Sequence, residues 1–153
     1  MSSSLSSKTS SPENELNFIQ ECANLYKEEL ITNILPFWLR NSKDKINGGY
    51  FSCLNRDGSV YDTDKFMWLQ GREVWCFSFM YNNLVQNAEW LDMAVQGAEF
   101  MRKFGRDKKG NWYFSLTAEG QPRRGHRCIG NQGSAVLHRG GTAVVAVGAD
   151  HQR

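Results

Sequence analysis

The chain has 153 residues, 41% of them apolar and 12% aromatic, which suits one domain with a proper core and excludes a globally disordered chain. It holds no run of about 18 apolar residues, and its first twelve residues lack the hydrophobic segment of a secretory signal, so we expect a cytoplasmic protein with no membrane partner. The net charge of +2 is uneven: residues 1–122 carry 13 basic against 15 acidic side chains, whereas residues 123–153 carry five arginines, one aspartate and no aromatic residue, too sparse a pattern for a nucleic-acid partner.

The serine-rich residues 1–12 read as a disordered tail. Ser11 as cap, Pro12 at the first helical position and acidic residues in the opening turn start a helix that runs to about Arg40. Ile19, Ala23, Tyr26, Leu30, Ile34 and Phe37 form its apolar seam, which predicts an outer, amphipathic helix kinked near Pro36. Asn47-Gly48-Gly49 breaks the helical period, and Tyr50 to Tyr61 reads as a hairpin turning at Asn55-Arg56-Asp57-Gly58. A second helix is expected from near Asp64 to about Gln86, with Asp62 or Thr63 as cap, apolar on nearly every side and therefore surrounded by protein. Its polar interior residues Gln70, Arg72, Glu73 and Ser78 stand out against that background.

A third helix is expected from Ala88, capped by Asn87, to Phe104, ending on Arg102, Lys103 and Gly105, with Leu91, Ala94, Ala98 and Met101 as its seam. Gly110 to Gln121 then repeats the hairpin: Tyr50-Phe51-Ser52 returns as Tyr113-Phe114-Ser115, an offset of 63 residues. Six such helix-hairpin-helix units need roughly 380 residues, so this chain supplies one unit and part of another. Residues 123–153 carry glycine at 125, 130, 133, 140, 141 and 148, a poor composition for the helix due next. The cysteines Cys22, Cys53, Cys76 and Cys128 show no zinc-type or redox spacing and read as free, mostly buried thiols.

The chemistry concentrates in Asp62 to Trp75, DTDKFMWLQGREVW, where Trp68, Arg72, Trp75 and Phe79 share one helical stripe. An arginine among aromatics either pairs with a carboxylate, Glu73 being nearest in sequence, or lines a cavity that takes an anionic or oxygen-rich ligand. The order NGGYF, RDG, DTDK, WLQGREVW and NWYFSLTAEGQP resembles the N-acylglucosamine 2-epimerase family, whose members share a D-x-D-K-x-x-W-x-x-x-R-x-x-W signature after such a hairpin. The likeness runs from about Leu16 to Pro122.

The resemblance implies an all-α fold, with residues 13–122 the N-terminal part of an (α/α)6 barrel that has short β-hairpins between its helices. Residues 123–153 are expected to be an unmatched Gly/Arg-rich tail from a shifted frame or a truncation. It further implies a sugar isomerase that interconverts C2 epimers such as N-acetylglucosamine and N-acetylmannosamine by removing and returning a proton. Arg72 is then the catalytic arginine that stabilises the enolate oxygen, and Trp68 and Tyr113 are substrate-binding. The acid/base histidines of the family are expected on later helices; His126, His138 and His151 match no motif for them. No metal and no cofactor is expected, and the small-molecule sugar is the expected partner. An epimerase of the cellobiose or mannose type is the enzymatic alternative. The other is a non-catalytic product, inactive as a fragment, that binds a partner or forms a homo-oligomer through uncovered apolar faces.

Overall fold

The computed structural model describes residues 11–123, which divide after Pro36 into two compact units. The serine-rich start, Cys128 and the three histidines lie outside the described residues.

The first unit is a single helical run. Helix α1 (Pro12–Glu29) begins where expected, with the Asn14 N–H donating to Ser11 Oγ at 3.4 Å. It continues through a π-helical turn at Leu30–Ile34 into α2 (Leu35–Asn41). Proline at 36 cannot donate to the carbonyl four residues back and its ring crowds that carbonyl, and the backbone widens by a residue just before it. The Leu35 N–H accordingly reaches the Leu30 carbonyl, five residues back. One residue of phase is thereby inserted: Leu35 is buried while Ile34, on the expected seam, is 47% exposed. The seam also fails to bury earlier in the helix, because residues 12–36 include no second element to pack on. Ile19 and Tyr26 are exposed, and no residue of α1 is buried.

The second unit starts within α2. A turn at Asp44–Gly49 leads to the hairpin β1 (Cys53–Leu54) and β2 (Val60–Asp62), antiparallel with Cys53 opposite Asp62. Strand β3 (Lys65–Phe66) follows, then α3 (Met67–Asn83), α4 (Ala88–Phe104) and β4 (Ser115–Leu116). Strands β3 and β4 pair antiparallel, Lys65 opposite Leu116 and Phe66 opposite Ser115. That ladder corrects the expected start of the second helix. Lys65 and Phe66 are committed to β4, so helical geometry begins only at Met67. Neither Asp62 nor Thr63 caps it: Phe66 is the N-cap and no side chain bonds there, Asp62 accepts from the Asp64 N–H at 2.9 Å, and Asp64 takes a bidentate contact from Arg123.

Helices α3 and α4 pack against each other. Helix α4 has the expected bounds, with Asn87 accepting from the Glu89 N–H at 2.8 Å. Its buried stripe is Trp90, Met93, Ala94, Gly97, Phe100 and Met101, rotated from the expected seam so that Leu91 and Ala98 lie at its edge. The rotation follows from Tyr50, whose fully buried ring lies on Gly97 while its hydroxyl donates to the Met93 carbonyl at 2.5 Å. Gly105 is needed for room and not for turn geometry, since its φ is −70° and a Cβ there would run into Trp112 and the Met101 carbonyl.

The internal repeat is present and its register is finer than identity suggests. Asp44 and Asp107, 63 residues apart, build the same device. Asp44 accepts from the Ile46 and Asn47 N–H groups and from Asn47 Nδ2; Asp107 accepts from the Lys109 and Asn111 N–H groups and from Asn111 Nδ2. The second turn is one residue shorter: Asp44 N–H donates to Gly49 O, whereas Asp107 N–H donates to Asn111 O. After it the offset is 62. Phe51 N–H donates to Ser42 O as Tyr113 N–H donates to Gly105 O, and Asn55 N–H to Ser59 O as Thr117 N–H to Gln121 O. Tyr50 therefore corresponds to Trp112, and Tyr113 to Phe51. Strand β4 is the counterpart of β1, with Leu116 bridging Pro122 as Leu54 pairs with Val60.

Replacing Gly97 by Ala should destabilise the unit by about 1–3 kcal/mol in urea unfolding, because the new methyl overlaps the Tyr50 ring in a packed core. In a Tyr50→Leu background the same substitution should cost distinctly less, the two sites being in contact; additive costs would show that the clash is not what excludes a side chain at 97.

Candidate active site

Helix α3 has two unlike faces. Met67, Gln70, Gly71, Val74, Phe77, Ser78 and Tyr81 are buried, whereas Trp68 and Phe79 are each 46% exposed and Arg72 is exposed between them. Among the described residues the Trp68–Arg72–Trp75–Phe79 stripe is left partly open, with Trp75 half-buried. Trp75 and Phe79 stack at 5.2 Å and 25°. The stripe is apolar and aromatic with one guanidinium in it.

Of the two sequence readings of Arg72, pairing with Glu73 is not realised. The four ion pairs among the described residues are Lys43–Asp92, Lys65–Asp44, Arg102–Glu99 and Arg123–Asp64. Glu73 turns away from the stripe and takes a hydrogen bond from Ser42 Oγ at 2.5 Å. Burial pushes its carboxyl up to about 8 against the opposing pull of that bond, so Glu73 is a neutral acid near pH 7. Burial also raises the Cys76 thiol although the Arg72 charge pulls it down. Cys22, Cys53 and Cys76 are free and half-buried, less enclosed than expected.

The N-terminal end of α3 is tied at several points. Gln70, fully buried, grips the backbone of Tyr50 from both sides, its Oε1 accepting the N–H and its Nε2 donating to the carbonyl, each at 2.9 Å. The Met67 N–H donates to the Phe114 carbonyl at 3.0 Å, and Phe66 meets Phe114 edge to face at 5.8 Å. Half-buried Tyr113 lies two residues before β4, next to Phe114, whose carbonyl and ring meet Met67 and Phe66 immediately before Trp68. The structure thus brings Trp68 and Arg72 onto one face of α3, one turn apart, with Tyr113 in the segment that leads into β4.

Sequence reading missed Lys65. Its side chain is wholly buried, and its ammonium donates to Asp44 Oδ2 at 2.6 Å, Gly48 O at 2.5 Å and Ala118 O at 2.9 Å, above the Phe100 ring at 4.4 Å. Burial lowers the lysine from its ordinary range even with these partners. Burial works to raise Asp44, but Lys65 and the Ile46 and Asn47 amides outweigh it and hold the carboxyl below its usual value. The DTDK motif was the available signal: a lysine followed directly by the apolar run Phe-Met-Trp-Leu. No group of three His, Cys, Asp or Glu side chains suited to a metal converges among the described residues. No helix among them is long and apolar enough to cross a membrane.

The family model of N-acylglucosamine 2-epimerase (GlcNAc 2-epimerase) matches residues 49–150. The chain belongs to the N-acylglucosamine 2-epimerase family. The family match continues past Pro122, across residues in which the motifs of the sequence offered no counterpart. N-acylglucosamine 2-epimerase of Mus musculus is 39% identical over 108 residues, which are 67% of this chain and 25% of the mouse protein. Among solved structures, a sugar epimerase from a ruminal bacterium superposes with a TM-score of 0.70 at 26% identity, over 82% of this chain and 32% of that one. Cellobiose 2-epimerase from Bacillus thermoamylovorans B4167 gives 0.62 at 30% identity, over 68% and 27%. This chain spans about a quarter of the length of the curated relatives it matches. Its fold is part of an (α/α)6 barrel, in which β1 and β2 form a hairpin between helices while β3 and β4 pair across the α3–α4 helices.

The neutral state of Glu73 sets a pH dependence. Its carboxyl titrates near 8 when folded and near the ordinary 4.5 when unfolded, so both states hold the proton below about pH 4.5 and nothing is lost there. As pH rises from 4.5 towards 8 the unfolded chain gives up its proton first, and stability falls; above 8 the loss levels off. Glu73→Gln should therefore gain on the parent by about 2–4 kcal/mol more at pH 8.5 than at pH 5 in urea unfolding. A gain independent of pH would show that Glu73 is ionised in the folded protein.

Proposed function

We propose that the protein is a sugar 2-epimerase of the N-acetylglucosamine/N-acetylmannosamine type, and that this chain supplies the arginine and aromatic wall of its sugar site. The observation that carries the reading is Arg72, which has no carboxylate partner among the described residues and stands on an exposed aromatic stripe. The family membership gives that arrangement its chemistry.

Removing the C2 proton of the ring-opened sugar moves negative charge onto O1. A guanidinium that stays charged at any working pH and offers two parallel N–H donors lowers the energy of that oxyanion more than that of the neutral carbonyl. Because no carboxylate among the described residues neutralises Arg72, its charge is available to the oxyanion. The Trp68 ring, half-exposed one turn away, offers a face for the C–H side of the sugar, and Tyr113 offers a hydroxyl from the segment leading into β4. Epimerisation also needs an acid and a base on opposite faces of C2. Residues 11–123 contain no histidine, so on this reading the acid/base pair comes from other parts of the barrel. The chain by itself then binds sugar without turning it over. The reading carries a cytoplasmic location and a small-molecule sugar as partner.

In a titration of the 153-residue chain with N-acetylmannosamine followed by indole fluorescence and ligand NMR, Arg72→Ala should weaken binding by about tenfold or more. Its unfolding free energy should stay within about 0.5 kcal/mol of the parent, as for an exposed residue. Equal losses in binding and stability would make Arg72 structural, and no binding by the parent would overturn the sugar site. Incorporation of solvent deuterium at C2 by the chain alone would refute the claim that the proton-transfer groups lie elsewhere.

A further inference from the structure

We infer that Lys65 is a positioning residue of the candidate site: its buried ammonium fixes the end of α3 that carries Trp68 and Arg72 against the second hairpin, whose entry carries Tyr113. The inference rests on the reading above that these three side chains face one sugar. It is argued from what joins the two segments. Apart from Lys65, these are the two-residue ladder of β3 and β4, the bond from the Met67 N–H to Phe114 O, the edge contact of Phe66 with Phe114, and the solvent-accessible ion pair of Arg123 with Asp64. A two-stranded ribbon of that length has little stability of its own.

Lys65 sits in that ribbon and reaches both sides of the junction. One bond goes forward to Ala118 O, in the turn just beyond β4. Two go back to the Asp44–Gly49 turn, through Asp44 Oδ2 and Gly48 O. The carboxylate is itself fixed by the Ile46 and Asn47 amides, so the ammonium is anchored to a rigid acceptor. Three acceptors from two separate turns account for all three protons of the ammonium. A methionine would fill the same space without a charge to desolvate, and buried ion pairs are often replaced by apolar side chains at no loss of stability. What an apolar side chain lacks is direction. Gln70, by contrast, ties α3 to Tyr50 alone and does not touch the second hairpin.

The test compares Lys65→Met, and the charge-free pair Lys65→Met with Asp44→Asn, against Met93→Ala, a cavity variant in α4 away from the junction. All are studied in the full 153-residue chain, with urea used to match their global stability. The double variant keeps the comparison available if the lone Asp44 charge prevents the single variant from folding. Amide exchange at Met67 should be at least thirtyfold faster in the lysine variants than in Met93→Ala. Affinity for N-acetylmannosamine should fall at least tenfold in the lysine variants and less than twofold in Met93→Ala. A folded double variant with Met67 exchange and sugar affinity equal to those of Met93→Ala would overturn the positioning role. If the parent chain binds no sugar, the site reading falls by itself, and the exchange comparison alone decides whether Lys65 sets the junction.

Discussion

One ammonium group, entirely out of water, is the point through which the second unit is connected. Removing a lysine from solvent costs several kcal/mol, and here the cost is offset by a carboxylate, two carbonyls and the face of Phe100. The partners come from both repeats, so Lys65 is the wholly buried polar link between two supersecondary units that also meet through a two-residue ladder, the Met67–Phe114 backbone bond and the more exposed Arg123–Asp64 pair. Around that link the remaining polar core is equally committed. Gln70 clamps Tyr50, Tyr50 reaches α4 through Met93, and Ser42 holds Glu73. Each of these groups bonds to a segment distant in sequence, which makes the register of hairpin against helix specific.

The site occupies the side of α3 that this network leaves free. The residues that fix the helix, Met67, Gln70, Val74 and Phe77, point one way; Trp68, Arg72 and Phe79 point the other. Anchoring one face through the core allows the opposite face to carry a cation that has no counter-ion among the described residues. A guanidinium tied to a neighbouring carboxylate would have its charge already neutralised, and Glu73, the nearest candidate, is withdrawn into a bond with Ser42 and kept neutral by burial.

Much of this is legible in the sequence where the deciding interactions are local. Helix α4 is readable to the residue because its cap, Asn87, lies next to it, and the start of α1 is readable from Ser11 and Pro12. The aromatic-arginine stripe follows from spacing alone. The start of α3 is not readable, because it is decided by β4, fifty residues downstream. Nor is the exposure of the stripe: apolarity all round a helix marks one that is covered within its barrel, and cover can come from outside the described residues. Lys65 escapes notice because lysine is ordinarily a surface residue, and Asp44 because its turn resembles any other Asp-Asn-Gly loop. The α1 seam is legible as a pattern, but the π-helical turn before Pro36 shifts its phase, so Leu35 is buried where periodicity selects Ile34.

The one-residue difference between the Asp44 and Asp107 turns bears on how such a barrel diversifies. If the units arose by tandem duplication, a deletion in the second turn left its aspartate device intact and moved every later residue one step along the hairpin. On a strand one step exchanges inside for outside. Two copies of the same Tyr-Phe-Ser string have thereby acquired different duties: the first tyrosine became core, locked beneath Gly97, and the second was released from that place, which Trp112 now fills. A change in loop length, with no substitution at the position concerned, is enough to turn a packing residue into one free to evolve a ligand contact.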